Sequence, residues 1–297
     1  MNIIKKIIFN LRIIPIYFFI NIRRYIIENK LKKIPNNELL NNGFIKFKSD
    51  HGKKLALFLE EVIQNPENCE SSNLGDFKIN YKNSYGVKSI IVDSNSEFLH
   101  KYVFTEEILK KLKNFYGKEF YLRNNPTIEF TYNVDEKSDS QIFHLDWGLK
   151  QTSVMINLNE ITEDSTHMEY IKKSNKQYKF KGPSRFSKIE TRNIEKNYKN
   201  LETVNTTGEI GQTSIFDAGC GYHRKVTGGK RVILHLNFTE NLVYTYWNKK
   251  WNPSKSIYWF TNNDVKRTHN LEASLFNLVN KNFSSKFMVP NIYLRNK

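Results

Sequence analysis

His144 and Asp146, one residue apart, are the pair in this 297-residue chain whose types and spacing suit metal chemistry. The run over 141–148 reads Gln-Ile-Phe-His-Leu-Asp-Trp-Gly. Its alternation predicts a strand, and on a strand residues i and i+2 face the same side. His144 and Asp146 then converge on one point while Leu145 turns away. A third ligand must come from a neighbouring strand. His223 is the candidate, because it follows the turn-rich run 217–222 and precedes a strand-like stretch at 231–238. Two neutral imidazoles and one carboxylate hold a divalent metal such as Fe(II) on one face and leave the opposite positions open. The remaining N–H of each imidazole needs an acceptor behind it. The alternative reading makes His144 and His223 ordinary polar residues paired with nearby backbone groups.

Further stretches fit around this set: a strand at 152–159, a polar run at 163–174, and 208–217 leading into the distal histidine. With them, residues 123–239 resemble the Fe(II)/2-oxoglutarate-dependent dioxygenases, in particular the phytanoyl-CoA dioxygenase-like branch. Ser174 and Lys176 sit in the register of that branch's loop, with Asn175 where a histidine is common. The resemblance implies a double-stranded β-helix, a jelly-roll or cupin-like barrel, mainly β with flanking helices. It also implies Fe(II) on His144, Asp146 and His223, and 2-oxoglutarate as cosubstrate. The cosubstrate's far carboxylate needs a fixed cation, which an arginine supplies through two parallel hydrogen bonds. Arg231 is the candidate, although its interval from His223 is shorter than in much of the family. Lys230 faces the other side of that strand, and Arg224 is expected to point away from the metal.

Arg231, Ile233 and His235 share one strand face, so His235 is either a pocket residue or a hydrogen-bonded core histidine. Tyr132, on a strand over 127–133, and Asn157 are expected to reach the cosubstrate carboxylate. Trp147 either walls the substrate pocket or fills the core. The implied reaction cleaves 2-oxoglutarate to succinate and carbon dioxide and hydroxylates an unactivated C–H bond of a small molecule, sugar or lipid. Asp146 argues against halogenation, where a small residue vacates the site for halide. Two other readings stand beside this one. A cupin-like metal-dependent isomerase or hydrolase would have no need of Arg231, and a non-catalytic barrel would serve as a membrane-surface binding module.

Length and composition set the frame. The chain fits one oxygenase domain over 41–297, with a barrel core at about 119–240, behind an N-terminal segment at 1–40. Cys69 and Cys220 are the only cysteines, so no disulfide framework is indicated, and a reducing cytoplasm suits both them and a ferrous site. Lys and Arg number 46 against 30 Asp and Glu, a net charge of +16. The basic residues are scattered, with no finger or helix-turn-helix signature, so nucleic acid is not the expected partner. Anionic or lipid-linked small molecules and anionic surfaces suit the charge better.

Residues 1–33 are the exception to that scatter, with Lys5, Lys6, Arg12, Arg23, Arg24, Lys30, Lys32 and Lys33 among dense apolar residues. Their longest uncharged run, 13–22, has ten residues, too few to span a bilayer. No small-residue cleavage site follows, so a signal peptide is not expected. A basic apolar helix there is expected at an anionic membrane interface, peripheral to the inner face, or else packed on the barrel. Helical spacing predicts one helix over 52–65, burying Leu55, Leu57, Phe58, Leu59, Val62 and Ile63. A second helix is predicted over 105–115, burying Ile108, Leu109, Leu112 and Phe115. The insertion at 176–205 is either a substrate lid or a solvated excursion. The aromatic tail after Glu240 is expected to pack on the barrel.

Overall fold

The computed structural model describes residues 37–66, 77–84, 87–92, 96–117, 120–122, 125–131, 139–146, 151–177, 202–239, 257–260 and 265–268. Two antiparallel sheets organise them. The larger is 10-stranded and runs β2 (Phe77–Ser84), β3 (Val87–Val92), β5 (Thr127–Thr131), β11 (Arg231–Thr239), β6 (Gln151–Asn157), β9 (Gln212–Asp217) and β1 (Phe44–Lys48). The far end of β11 also pairs with β4 (Phe120–Leu122), which carries β12 (Ile257–Phe260) and β13 (Val265–Thr268). The smaller sheet is β10 (His223–Val226), β7 (His167–Ile171) and β8 (Thr203–Asn205). From β6 onward the chain passes from large sheet to small and back, through β7, β8, β9, β10 and β11. That winding makes a double-stranded β-helix.

The central strands are covered on both sides, and their sequence reflects it. On β11, Val232, Leu234, Leu236 and Phe238 are at most 1% exposed and pack in one cluster with helical residues. Full burial of such side chains contributes about 1.5–3 kcal/mol each. The alternate residues, Arg231, Ile233, His235 and Asn237, face the other way. There Ile233 joins Met155, Phe216, Met168 and Tyr170, drawn from both sheets, in a second cluster. This inner cluster holds the sheets together, with the rings of Tyr170 and Phe216 6.0 Å apart.

Helices cover the outer face of the large sheet. They are α1 (Glu38–Asn42), α2 (Asp50–Phe58), α3 (Glu60–Gln64) and α4 (Glu106–Tyr116). Helix α4 carries its own signals: Thr105 as N-cap, Glu106 and Glu107 in the first turn, and Gly117 at φ 62° ending it. Its predicted stripe of Ile108, Leu109, Leu112 and Phe115 is buried, and Tyr116 adds to it. The Tyr116 hydroxyl donates to Phe238 O at 2.9 Å and accepts from Thr152 N at 3.0 Å, tying α4 to β11 and β6. Helix α2 reaches the barrel through Gly52, where an added Cβ would lie 2.5 Å from Gly211 O.

The single helix expected over 52–65 is instead α2 and α3, broken at Leu59. Leu55, Leu59 and Val62 are buried as expected, but Leu57 is 70% exposed and Phe58 36%. An apolar run with no polar side gives periodicity nothing to orient by. Phe58 finds partial cover against Phe98 and Tyr102. The barrel core expected at about 119–240 is joined by β1 and β3 from before it and by β12 and β13 after it. Residue 40, the expected segment boundary, falls inside α1, whose N-cap Asn37 donates to Asn114 O. The basic segment 1–33, most of the insertion at 176–205, and Tyr132 and Trp147 lie outside the described residues. Among the described residues no helix is long and apolar enough to cross a membrane.

Candidate metal centre

His144 and His223 meet across a single antiparallel bridge. His144 N donates to His223 O at 2.9 Å, and His223 N donates to His144 O at 3.1 Å. His223 opens β10, whereas His144 and Asp146 lie in no ladder: of the strand expected over 141–148, the described residues 141–146 hold that one bridge after a 3-10 turn at Asp139–Gln141. A second backbone bond, Asp146 N to Ala218 O at 2.8 Å, fixes the chain beyond it. These two anchors give the convergence that a longer strand would have given. Leu145 turns away and is buried.

The three side chains point at one place. Asp146 Oδ1 stands 3.8 Å from His144 Nε2 and 3.7 Å from His223 Nε2, with the ring centroids 4.5 Å apart. Ligand atoms from the three residues all lie within 4.8 Å of one another. Each imidazole is oriented from behind. His144 Nδ1 bonds Ile142 O at 2.8 Å, and His223 Nδ1 bonds Gly221 O at 3.0 Å. A carbonyl only accepts, so the proton sits on Nδ1 and the Nε2 lone pair faces the centre. Gln151 Nε2 donates to Asp146 Oδ2 at 3.0 Å, which leaves Oδ1 turned toward the histidines. Burial lowers the His223 pKa to about 4, with the Asp146 charge opposing the shift and the His144 charge adding to it. A neutral, buried, pre-turned imidazole is the form a metal takes.

The loop before His223 is held tightly. Tyr222 N donates to Ser174 Oγ at 2.8 Å, so the serine singled out in the sequence anchors this turn. Asn175 donates to Leu40 O. A Cβ added at Gly221 would overlap the Tyr170 hydroxyl, which explains glycine there. Cys220 is a buried turn residue whose backbone N–H reaches Asp217 Oδ1.

A second group of charges lies on the same inner surface. Arg231 is 2% exposed, and its Nη2 donates to Glu129 Oε2 and Thr131 Oγ1, both at 3.3 Å. Its Nε and Nη1 are buried with no hydrogen-bond partner among the described residues. His235 Nδ1 lies 2.8 Å from Glu129 Oε1, and His235 Nε2 is buried with no partner among the described residues. Burial raises the Glu129 pKa, but His235, Arg231 and Lys225 outweigh it and hold the carboxyl at about 2.

The structure thus brings His144, Asp146 and His223 together and sets Arg231 and His235 on one face of β11. Asn157 is buried on the inner side of β6, opposite Ile233. Its Nδ2 donates to Thr206 O and Gly208 O, and Oδ1 is the atom left without a partner. Binding a carboxylate there would require the amide to turn over. Arg224 points away, as expected, donating to Glu169 Oε2 at 2.6 Å. The sequence reading missed Glu129, Gln151 and Lys225. Strand period two from Thr131 and from His223 is the signal for Glu129 and Lys225. Gln151 carries no comparable signal.

No protein-family model and no curated protein sequence matches the chain. Among solved structures it is similar to the epimerase SnoN in complex with Fe3+, alpha ketoglutarate and nogalamycin RO. That likeness has 12% identity and a TM-score of 0.49, covering 71% of this chain and 84% of that one. It is also similar to EctD from S. alaskensis with 2-oxoglutarate and 5-hydroxyectoine, at 12% identity and a TM-score of 0.47, over 68% and 73% of the two chains. HygX from Streptomyces hygroscopicus, with nickel and 2-oxoglutarate bound, matches at 10% identity and 0.46, over 69% and 87%. With identities this low, the reading of the site rests on its own geometry.

Proposed function

We propose that this chain is an Fe(II)- and 2-oxoglutarate-dependent oxygenase acting on a small molecule, with hydroxylation of an unactivated C–H bond as its outcome. One observation carries the reading: a two-histidine, one-carboxylate set shares the barrel interior with a buried arginine that has two unpartnered guanidinium nitrogens. A buried cationic donor left unsatisfied is costly, and a ligand carboxylate removes the cost. His144, Asp146 and His223 would hold Fe(II), which with 2-oxoglutarate and oxygen would supply the oxidising power, the cosubstrate being released as succinate and carbon dioxide.

The chain's own residues do the rest. His144 and His223 offer Nε2 while Ile142 O and Gly221 O hold their Nδ1 protons. Asp146 offers Oδ1, kept free by the amide of Gln151. Arg231 takes the distal carboxylate of the cosubstrate, with Thr131 and Glu129 steadying Nη2. The neighbours solved with 2-oxoglutarate or alpha ketoglutarate are in keeping with this cosubstrate.

The test is Fe(II)-dependent succinate formation from 2-oxoglutarate in air. The unchanged chain is expected to form succinate slowly even without its own substrate. Arg231→Ala should lower kcat/KM for 2-oxoglutarate roughly a hundredfold, as expected for losing a buried charge-paired contact. Equal succinate formation by the two proteins would overturn the role of Arg231, and no succinate from either would point to the isomerase or hydrolase reading.

A further inference from the structure

Lys225 lies two residues beyond His223 on β10, so it projects into the barrel from the same strand face, about 6.6 Å further along. It is 7% exposed, and its partner across the ladder, Met168, belongs to the inner cluster. Arg231 and Glu129 share the inner face of the opposite sheet; burial lowers the Lys225 pKa, with the Arg231 charge adding to the shift and the Glu129 charge opposing it. Lys225 makes no hydrogen bond to another described residue. A lysine this little exposed on an inner face gains from an anionic partner. Glu129 is already shared between Arg231 and His235. Lys225 and Arg231 carry two positive charges against the one negative charge of Glu129, so a positive charge is left over before His235 is counted. One carboxylate closes that balance. Without Lys225, Glu129 would cancel the charge of Arg231 and leave only its unpartnered nitrogens to hold an anion.

We propose that Lys225 binds the distal carboxylate of the cosubstrate together with Arg231, and so sets the preference of this site for a dicarboxylic 2-oxo acid over a monocarboxylic one. The proposal rests on the 2-oxoglutarate reading of the site and adds a second binding residue to it. The charge of Lys225 offsets Glu129, and Glu129 in turn engages one nitrogen of Arg231 and leaves Nη1 for the ligand.

The experiment is anaerobic calorimetry on the full chain loaded with Fe(II). Two probes are titrated: 2-oxoglutarate, and 2-oxopentanoate, which has the same carbon chain without the distal carboxylate. The unchanged protein should prefer 2-oxoglutarate. Lys225→Met should weaken 2-oxoglutarate roughly tenfold to a hundredfold, the size of one charge-assisted hydrogen bond, and leave 2-oxopentanoate unaltered. Lys225→Arg should restore most of the preference. If Lys225→Met does not fold, Lys225→Gln carries the same comparison, with a smaller loss confined to 2-oxoglutarate. An equal loss for both acids, or for neither, overturns the role of Lys225 and leaves the reading of Arg231 standing. No binding of either acid to the unchanged, iron-loaded chain overturns the 2-oxoglutarate reading and this proposal with it.

Discussion

His223 is the residue whose environment most directly links the site to stability. Burial holds its pKa at about 4 against an ordinary 6.5. The depressed value means that the unfolded chain takes up a proton first as pH falls. For the metal-free protein this stability is complete above pH 6.5 and is lost as pH drops toward 4, about 3 kcal/mol in all. Glu129, held at about 2 from 4.5, has the same sign in a lower window, so its share is lost below pH 4.5 on the way to 2. Urea unfolding of the metal-free protein at pH 7 and pH 4 should show the fall, and His223→Gln should flatten it. An unchanged slope in that variant would mean the loss arises elsewhere. The candidate metal ligands were legible in the sequence because His144 and Asp146 are followed in order by a Gly-rich turn, His223 and the strand-borne Arg231. Glu129 and Lys225 were not, because a charged residue on an alternating strand ordinarily marks the solvent face. Here the charged residues lie on the inward faces of their strands, with Lys225 buried between the half-exposed Arg224 and Val226.

At the scale of the element, β11 joins the inner site to the helical layer. Its odd positions carry Arg231 and His235 inward while its even positions bind the sheet to the helices. The alternation was readable from the sequence, and so was α4, whose caps and stripe agree. The break of 52–65 at Leu59 was not, since an apolar run without a polar side leaves its orientation to tertiary packing. The join between α4 and the barrel can be tested on its own. Tyr116→Phe removes a hydroxyl that serves both Thr152 N and Phe238 O, and should cost about 1–3 kcal/mol in the urea midpoint. Iron binding at 25 °C should be unaffected, since α4 does not touch the site. A variant as stable as the parent would show that the strands satisfy those groups without the helix.

For the whole molecule, two sheets and a helical layer create an interior that is apolar at Phe216, Met168 and Tyr170 and charged at its edges. A metal set and a surplus cationic group within one barrel suit a ligand with a chelating end and an anionic end. The central claim is that metal and cosubstrate occupy this interior together. Its most direct measurement is visible absorption of the anaerobic protein after Fe(II) and then 2-oxoglutarate are added. A weak charge-transfer band that forms only with both, and is absent in His144→Ala, is the predicted result. Iron bound without any band on adding 2-oxoglutarate would contradict it.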